Sequence, residues 1–385
     1  MNALLYKAFI APLKSPERIK LYVASIIGTF GFSGAFLFLA FDYGGQGLAE
    51  MLSFMLSRTI IVDMVLMPVA FIGLRKFKNT KFFRLLVFIQ IVMLAALLYV
   101  QNLTLPSVTG AFTYSVLLAT MMMPFWIAYH AVMIEFTSED NRGNDVSVSL
   151  IGMGIGSIIG TSCGGAVLQY FGENHWYIAI SMIAIFGGTI LQMSLIRKDN
   201  FNLKGGKLMD SFTKRPYRTM NTLMDGVCGF LIVMAAPIWL GAIGMKALGT
   251  GVASSLQTLL KIVLSPYTGV LTNANKGRET TYGSMMNTLG WLPWLLFQSP
   301  WILVWSYALW GMGYHLYGVG LQSRWYQERT YANMAAREFL LGAGRLLACL
   351  FCLPLVYTNI WLFFAVCSAL TFGKYLVSKM ESRKL

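Results

Sequence analysis

The chain is a succession of apolar runs, each close to the length a helix needs to cross a lipid bilayer, separated by short clusters of Gly, Pro and charge. A spanning helix takes about 20 mostly apolar residues, and connections this short leave little chain for an extramembrane domain. The runs lie near 20–41, 48–74, 82–101, 107–134, 146–170 and 175–196, then 218–243, 247–272, 280–298, 300–324, 334–357 and 359–380. With 385 residues, 56% hydrophobic and only 12% charged, the composition excludes an ordinary water-soluble fold of this size. The expected architecture is an all-α membrane protein of about twelve transmembrane helices. They form two sets of six, 1–196 and 218–385, joined by a cytoplasmic linker over 197–217.

Placing the N-terminus inside puts all of the 30 Lys and Arg residues on one side except Lys246, Arg58, Lys261 and Arg345. That bias predicts cytoplasmic termini and a multi-pass protein of a bacterial inner membrane. It also accounts for the net charge of +14 without nucleic acid, since basic loops set topology and meet anionic headgroups. Lys7, Lys14, Arg18 and Lys20 precede the first apolar run without an A-x-A site, so the first span is expected to remain as an anchor. All five cysteines, Cys163, Cys228, Cys349, Cys352 and Cys367, fall inside apolar runs and read as packing residues. The C-x-x-C at Cys349 and Cys352 lacks the polar surroundings that metal or redox use requires.

Three segments resemble motifs of a known family. Gly269-Val-Leu-Thr-Asn273-Ala-Asn-Lys276-Gly277-Arg278 is similar to a G-x-L-a-D-r-x-g-R-R loop, with Asn273 at the acidic position, and Gly73 to Lys81 is a more degraded copy. Gly156-Ser-Ile-Ile-Gly160-Thr161-Ser-Cys-Gly164-Gly165 is similar to G-x-x-x-G-P-x-x-G-G, with Thr161 in place of Pro. Ser138-Glu139-Asp140-Asn141-Arg142-Gly143 resembles the short charged loop between helices 4 and 5. Together with the six-plus-six layout, these identify the chain as resembling the major facilitator superfamily. The resemblance implies two six-helix bundles, alternating access and a cavity lined by helices 1, 2, 4, 5, 7, 8, 10 and 11. The helix 5 motif is associated with antiporters and exporters. Its glycines, four apart on one stripe, let a neighbouring backbone approach closely, for a helix that rocks or one that packs statically.

Charges inside the spans are the candidate site. Arg58, Lys261 and Arg345 each cost about 2.5 to 3.5 kcal/mol at mid-bilayer, so such residues usually face a watered cavity. At 1.5 Å per residue, Lys261 and Arg345 lie about 16 Å from the cytoplasmic ends of their spans, near the midplane. Glu338, Gly342 and Arg345 share a stripe on helix 11. Opposing the cations are Asp63, Asp225 and Glu338, as proton-coupling groups or charge partners. Asp225 is expected to pair with Lys261 on the neighbouring antiparallel helix, and Glu338 with Arg337 or a charge of the linker. Asp63 and Arg58, five residues apart, sit about 140° apart on an ideal helix and are not expected to pair. If cations remain free, the substrate is a small organic anion bearing carboxylate or phosphate. Proton coupling would fall to Asp63 or Asp225, with His130 and His315 as packing residues or relay members.

Helices 9 and 10 are rich in aromatics. Trp291, Trp294, Trp301 and Trp305, near Pro300, read as an outer interfacial belt. Trp310, Tyr314 and Tyr317 share a face, to stack on a ligand or pack against neighbours. The glycines at 311, 313, 318 and 320 make helix 10 a candidate for bending. Two other functions compete with soluble-anion transport. A flippase of an anionic lipid would use the same fold. A membrane transferase would need a catalytic cluster, whereas the chain has three His and no H-x-x-x-D or D-x-D, so it is not read as an enzyme. No cofactor or metal is implied, and a monomer is expected because one chain supplies both halves.

Overall fold

The computed structural model describes residues 15–76, 79–137, 142–172, 176–196, 206–242, 244–274, 277–297, 299–328 and 330–384. Ser138 to Asn141, Lys276 and the linker over 197–205 therefore lie outside the described residues. Among those described, helix dominates. The long helices are α1 (Pro16–Gln46), α2 (48–76), α3 (Asn79–Val100), α4 (Ser107–Phe136), α5 (Arg142–Phe171) and α6 (Trp176–Met193). They continue as α7 (Pro216–Ala242), α8 (Ala247–Ala274), α9 (Arg278–Leu296), α10 (Pro300–Tyr326), α11 (Tyr331–Thr358) and α12 (Ile360–Ser382). A short helix, Leu208–Thr213, precedes α7.

Among the described residues, nine of these helices are long and apolar enough to cross a membrane. The polar content of α9 is visible in its sequence: it opens on Arg278 and Glu279 and buries Thr280, Ser284 and Asn287. The exterior is apolar where lipid would lie, with Leu85, Phe88, Ile91 and Leu98 exposed along α3. An unpartnered apolar face of this kind is stable only in hydrocarbon. The protein is a polytopic membrane protein.

Two helices depart from regular winding. Arg58–Leu66 in α2 and Ala348–Cys352 in α11 are π-helical, with backbone bonds from i to i+5. Helices α1 to α6 pack chiefly among themselves, as do α7 to α12, and the two sets meet along α5·α8, α2·α11 and α1·α7. The α5·α8 contact is the most extensive of all and runs antiparallel. Gly143 N–H donates to Asn273 Oδ1 at one end (2.9 Å), and Leu248 N–H donates to Gln169 Oε1 at the other (3.2 Å).

The glycine stripe of α5 is divided between neighbours. A Cβ on Gly156 or Gly160 would overlap the carbonyls of Ile26 and Phe30, and one on Gly164 would lie 2.6 Å from Gly34 O, all on α1. Gly165 turns the other way, 2.6 Å from Ala247 O on α8. The aromatic belt expected around Pro300 is also divided. Trp301 and Trp305 are exposed, but Trp291 and Trp294 are buried against Phe363 and Phe364 of α12. On α9 the face that carries Trp291 and Trp294 is the inner one, so apolar packing claims them before the interface can.

Candidate functional site

A cavity of about 430 Å³ lies between the two sets of helices. Its wall is drawn from α1, α2, α4, α5, α7, α8, α10 and α11. Arg58, Lys261 and Arg345 all line it, as do Asp63, Asp225, Glu338 and Tyr314. Arg337, which positive-inside counting assigns to the cytoplasm, lines it too.

Asp63 pairs with Arg345 across the two sets at 2.7 Å and lies 3.9 Å from Arg58 on its own helix. The second contact corrects the expectation that Arg58 and Asp63 point apart. The π turn advances each residue by less than an α turn, so positions five apart come round to nearly the same face. The Arg58 guanidinium also sits over the rings of Phe32 and Phe36, at 5.1 and 5.2 Å from their centroids.

Asp225 does not pair with Lys261. Its partner is Lys374 of α12, at 2.9 Å, and the Lys374 side chain is wholly buried, its ammonium 3.4 Å from the centroid of Tyr317. Charge counting from the sequence groups Lys374 with the cytoplasmic C-terminal basic residues, whereas α12 carries it into the interior. Lys261 is left with no acidic partner among the described residues; its ammonium lies 5.7 Å from the Tyr314 ring centroid. Below it, Ser265 Oγ donates to Lys261 O (2.9 Å) and hydrogen-bonds His315 Nε2 (2.7 Å).

Two acid–base pairs therefore cancel, Asp225 with Lys374 and Glu338 with Arg337. Asp63 is shared by two arginines, and Lys261 has no acidic partner among the described residues. The wall carries a surplus of positive charge.

The human organic anion transporter MFSD10 (TETRAN), seen in a crystal structure, matches this architecture with a TM-score of 0.69, over 94% of this chain and 100% of that one. The chain has the major facilitator fold. Sequence identity in the alignment is 10%, so the likeness is one of fold. Neither a protein-family model nor a curated protein matches the sequence.

Within this major facilitator fold the remaining expected residues have definite places. Trp310 does not reach the cavity; it is buried behind Tyr314, ring centroids 5.0 Å apart and nearly parallel, because Gly290 of α9 admits it closely. Gly269 of α8 approaches Asn144 of α5, and Arg278 is exposed at the start of α9. Asn273, at the acidic position of the loop motif, caps α5 through Gly143 N–H, so an amide oxygen serves where a carboxylate was expected.

Toward the C-terminal ends of α4 and α10, a polar cluster at the cavity crosses between the sets. His130 Nδ1 hydrogen-bonds Tyr326 OH (2.6 Å), and Gln322 Nε2 donates to the same oxygen (2.5 Å). His130 Nε2 lies 3.6 Å from Glu338 Oε1. At the other end, Tyr357 OH donates to Gly44 O (3.0 Å).

Proposed function

We propose that this protein is a secondary transporter that moves a small organic anion across a bacterial inner membrane by alternating access, the two six-helix sets moving as bundles around the cavity. The observation that carries the reading is the surplus charge of the wall. A buried cation without a counter-charge costs several kcal/mol, and a cavity that gives Lys261 no acidic partner among the described residues and gives two arginines one carboxylate suits an incoming anion. Arg58 and Arg345 offer planar forks that suit carboxylate or phosphate, and Lys261 a point charge from the facing helix. Phe32, Phe36, Tyr314 and Trp126 supply apolar wall for the body of the molecule. That a solved protein of the same fold is an organic anion transporter supports the reading.

The test is thermal stabilisation of the purified protein by carboxylates, organic phosphates and anionic lipids, repeated on Lys261→Ala and Arg345→Ala. Each charge-assisted bond contributes about 1.5 to 3 kcal/mol, so either variant should weaken binding by roughly ten- to a hundredfold. Lys261→Ala is the cleaner of the two because it orphans no carboxylate. Stabilisation by neutral compounds alone would overturn the reading. Stabilisation by lipid alone would replace the soluble anion with a flipped headgroup.

A further inference from the structure

Resting on the anion reading, we propose that the substrate is a dianion with one anionic group at each end of an apolar body, one end held by Arg58 and Arg345 and the other by Lys261. Two features of the cavity wall carry this: how much positive charge is left over, and where it stands.

Among the described residues, Asp225 is matched by Lys374 and Glu338 by Arg337. Three cations then remain on the wall, Arg58, Lys261 and Arg345, against one carboxylate, Asp63, which leaves two positive charges over. His130 and His315 also line the cavity, hydrogen-bonded to Tyr326 and Ser265, and bring no fixed charge. A charge shut away from water is tolerated only when it is paired. With a monoanion in place, one cation keeps no counter-charge once the cavity closes. With a dianion, the wall and its contents sum to zero.

The surplus is divided between two seams. The sets meet along α2·α11 and along α5·α8, and helices of both seams line the cavity. Arg58 of α2 and Arg345 of α11 belong to the first. Both address the same oxygen, Asp63 Oδ2, at 3.9 Å from Arg58 Nε and 2.7 Å from Arg345 Nη1. Two guanidinium forks carry more donors than one oxygen can accept, so this end keeps capacity for a second carboxylate. Lys261 of α8 belongs to the other seam, its ammonium 5.7 Å from the Tyr314 ring centroid. Rings from α1, α4 and α7, namely Phe32, Phe36, Trp126 and Phe230, complete an apolar lining. Cations on separate seams call for separate anionic groups, and the rings for the body that joins them. The volume, about 430 Å³, is of the size that holds one small ligand.

The experiment measures binding to the purified full-length protein at about pH 7, where carboxylates are ionised and phosphate monoesters carry mostly two charges. The probes are matched in body and differ by one charge: hexanoate against adipate, and benzoate against terephthalate. Phenyl phosphate adds a dianion with both charges on one group. Each dicarboxylate should bind about ten- to a hundredfold more tightly than its monoanion, the effect of one further charge-assisted bond. Lys261→Met leaves no carboxylate unpaired, so the fold is kept, and it should bring that ratio to about one because the second end then meets no cation. Lys261→Arg should preserve the ratio. If adipate and terephthalate bind no more tightly than hexanoate and benzoate, the dianion is overturned while the anion transporter stands. A ratio that survives in Lys261→Met overturns the placing of the second end. Phenyl phosphate bound more tightly than terephthalate would put both charges on one group and overturn the two-ended molecule. If none of the probes binds, the anion reading itself falls, and the dianion with it.

Discussion

At the scale of single residues, position relative to water decides what each charge does. Lys374 is the clearest case. Replacing it with Met leaves Asp225 without its partner in a dry wall, and should cost about 3 to 5 kcal/mol, measured as loss of thermal or denaturant stability. Adding Asp225→Asn should restore most of that loss; if the double variant is no more stable than the single, the pair is not the source. Lys374 was invisible to charge counting because a lysine a few turns from a basic C-terminus looks like one more topological signal. Arg58, Lys261 and Arg345 were legible because each interrupts an apolar run, and the structure puts all three on one cavity. Trp310 was ambiguous for a physical reason: a stripe on one helix names a face, and only the neighbouring helix, here α9 with Gly290, decides whether that face meets a void or a wall.

At the scale of elements, the close approach of α5 to α1 depends on glycine. Gly160→Ala would put a methyl into the Phe30 carbonyl and should destabilise by about 1 to 3 kcal/mol. Gly45→Ala on α1, where a Cβ meets nothing within 4 Å, should be neutral or slightly stabilising in the same assay. Equal losses at the two sites would refute the packing argument. Because Gly156, Gly160 and Gly164 bind α5 to a helix of its own set, they read as static packing, and the surfaces that could slide are those of Gly165 and Gly251 against α8 and α5. Twelve apolar periods were legible as helices, but the winding of α2 was not. Ideal α geometry puts Arg58 and Asp63 on different faces, and no residue between them announces a π turn.

At the scale of the whole molecule, the two sets are tied at both ends of the α5·α8 contact. Ser162 Oγ lies 2.9 Å from Ser255 Oγ, so cysteines at both positions should cross-link on oxidation. If the outer ends of these helices must part during the cycle, the cross-link should abolish transport reversibly and leave anion binding intact; undiminished transport in the oxidised protein would sink that view. Within the second set and outside the spans, Glu328 joins the α10–α11 connection to the start of α7: it meets Arg215 at 2.7 Å and Arg218 at 3.0 Å and also accepts from Asn333. Partial burial pushes its carboxyl up, but Asn333 and the two arginines outweigh that and hold it below the usual glutamate value. The unfolded chain, at about 4.3, therefore binds the proton more readily than the folded one, so the stabilisation is complete above that pH and is lost as pH falls through the lower folded value. Glu328→Gln should be less stable than wild type at pH 7, with the gap closing in strong acid. A gap that persists unchanged in acid would show that the carboxylate charge is not what matters.

Asp63 has one cationic neighbour on its own helix and a second on the opposing one. If the sets part as proposed, Asp63 can be handed from Arg345 to Arg58 and keep a counter-charge throughout. The energetic toll of opening would then fall on Arg345, whose guanidinium would be uncovered at the moment a solute could reach it.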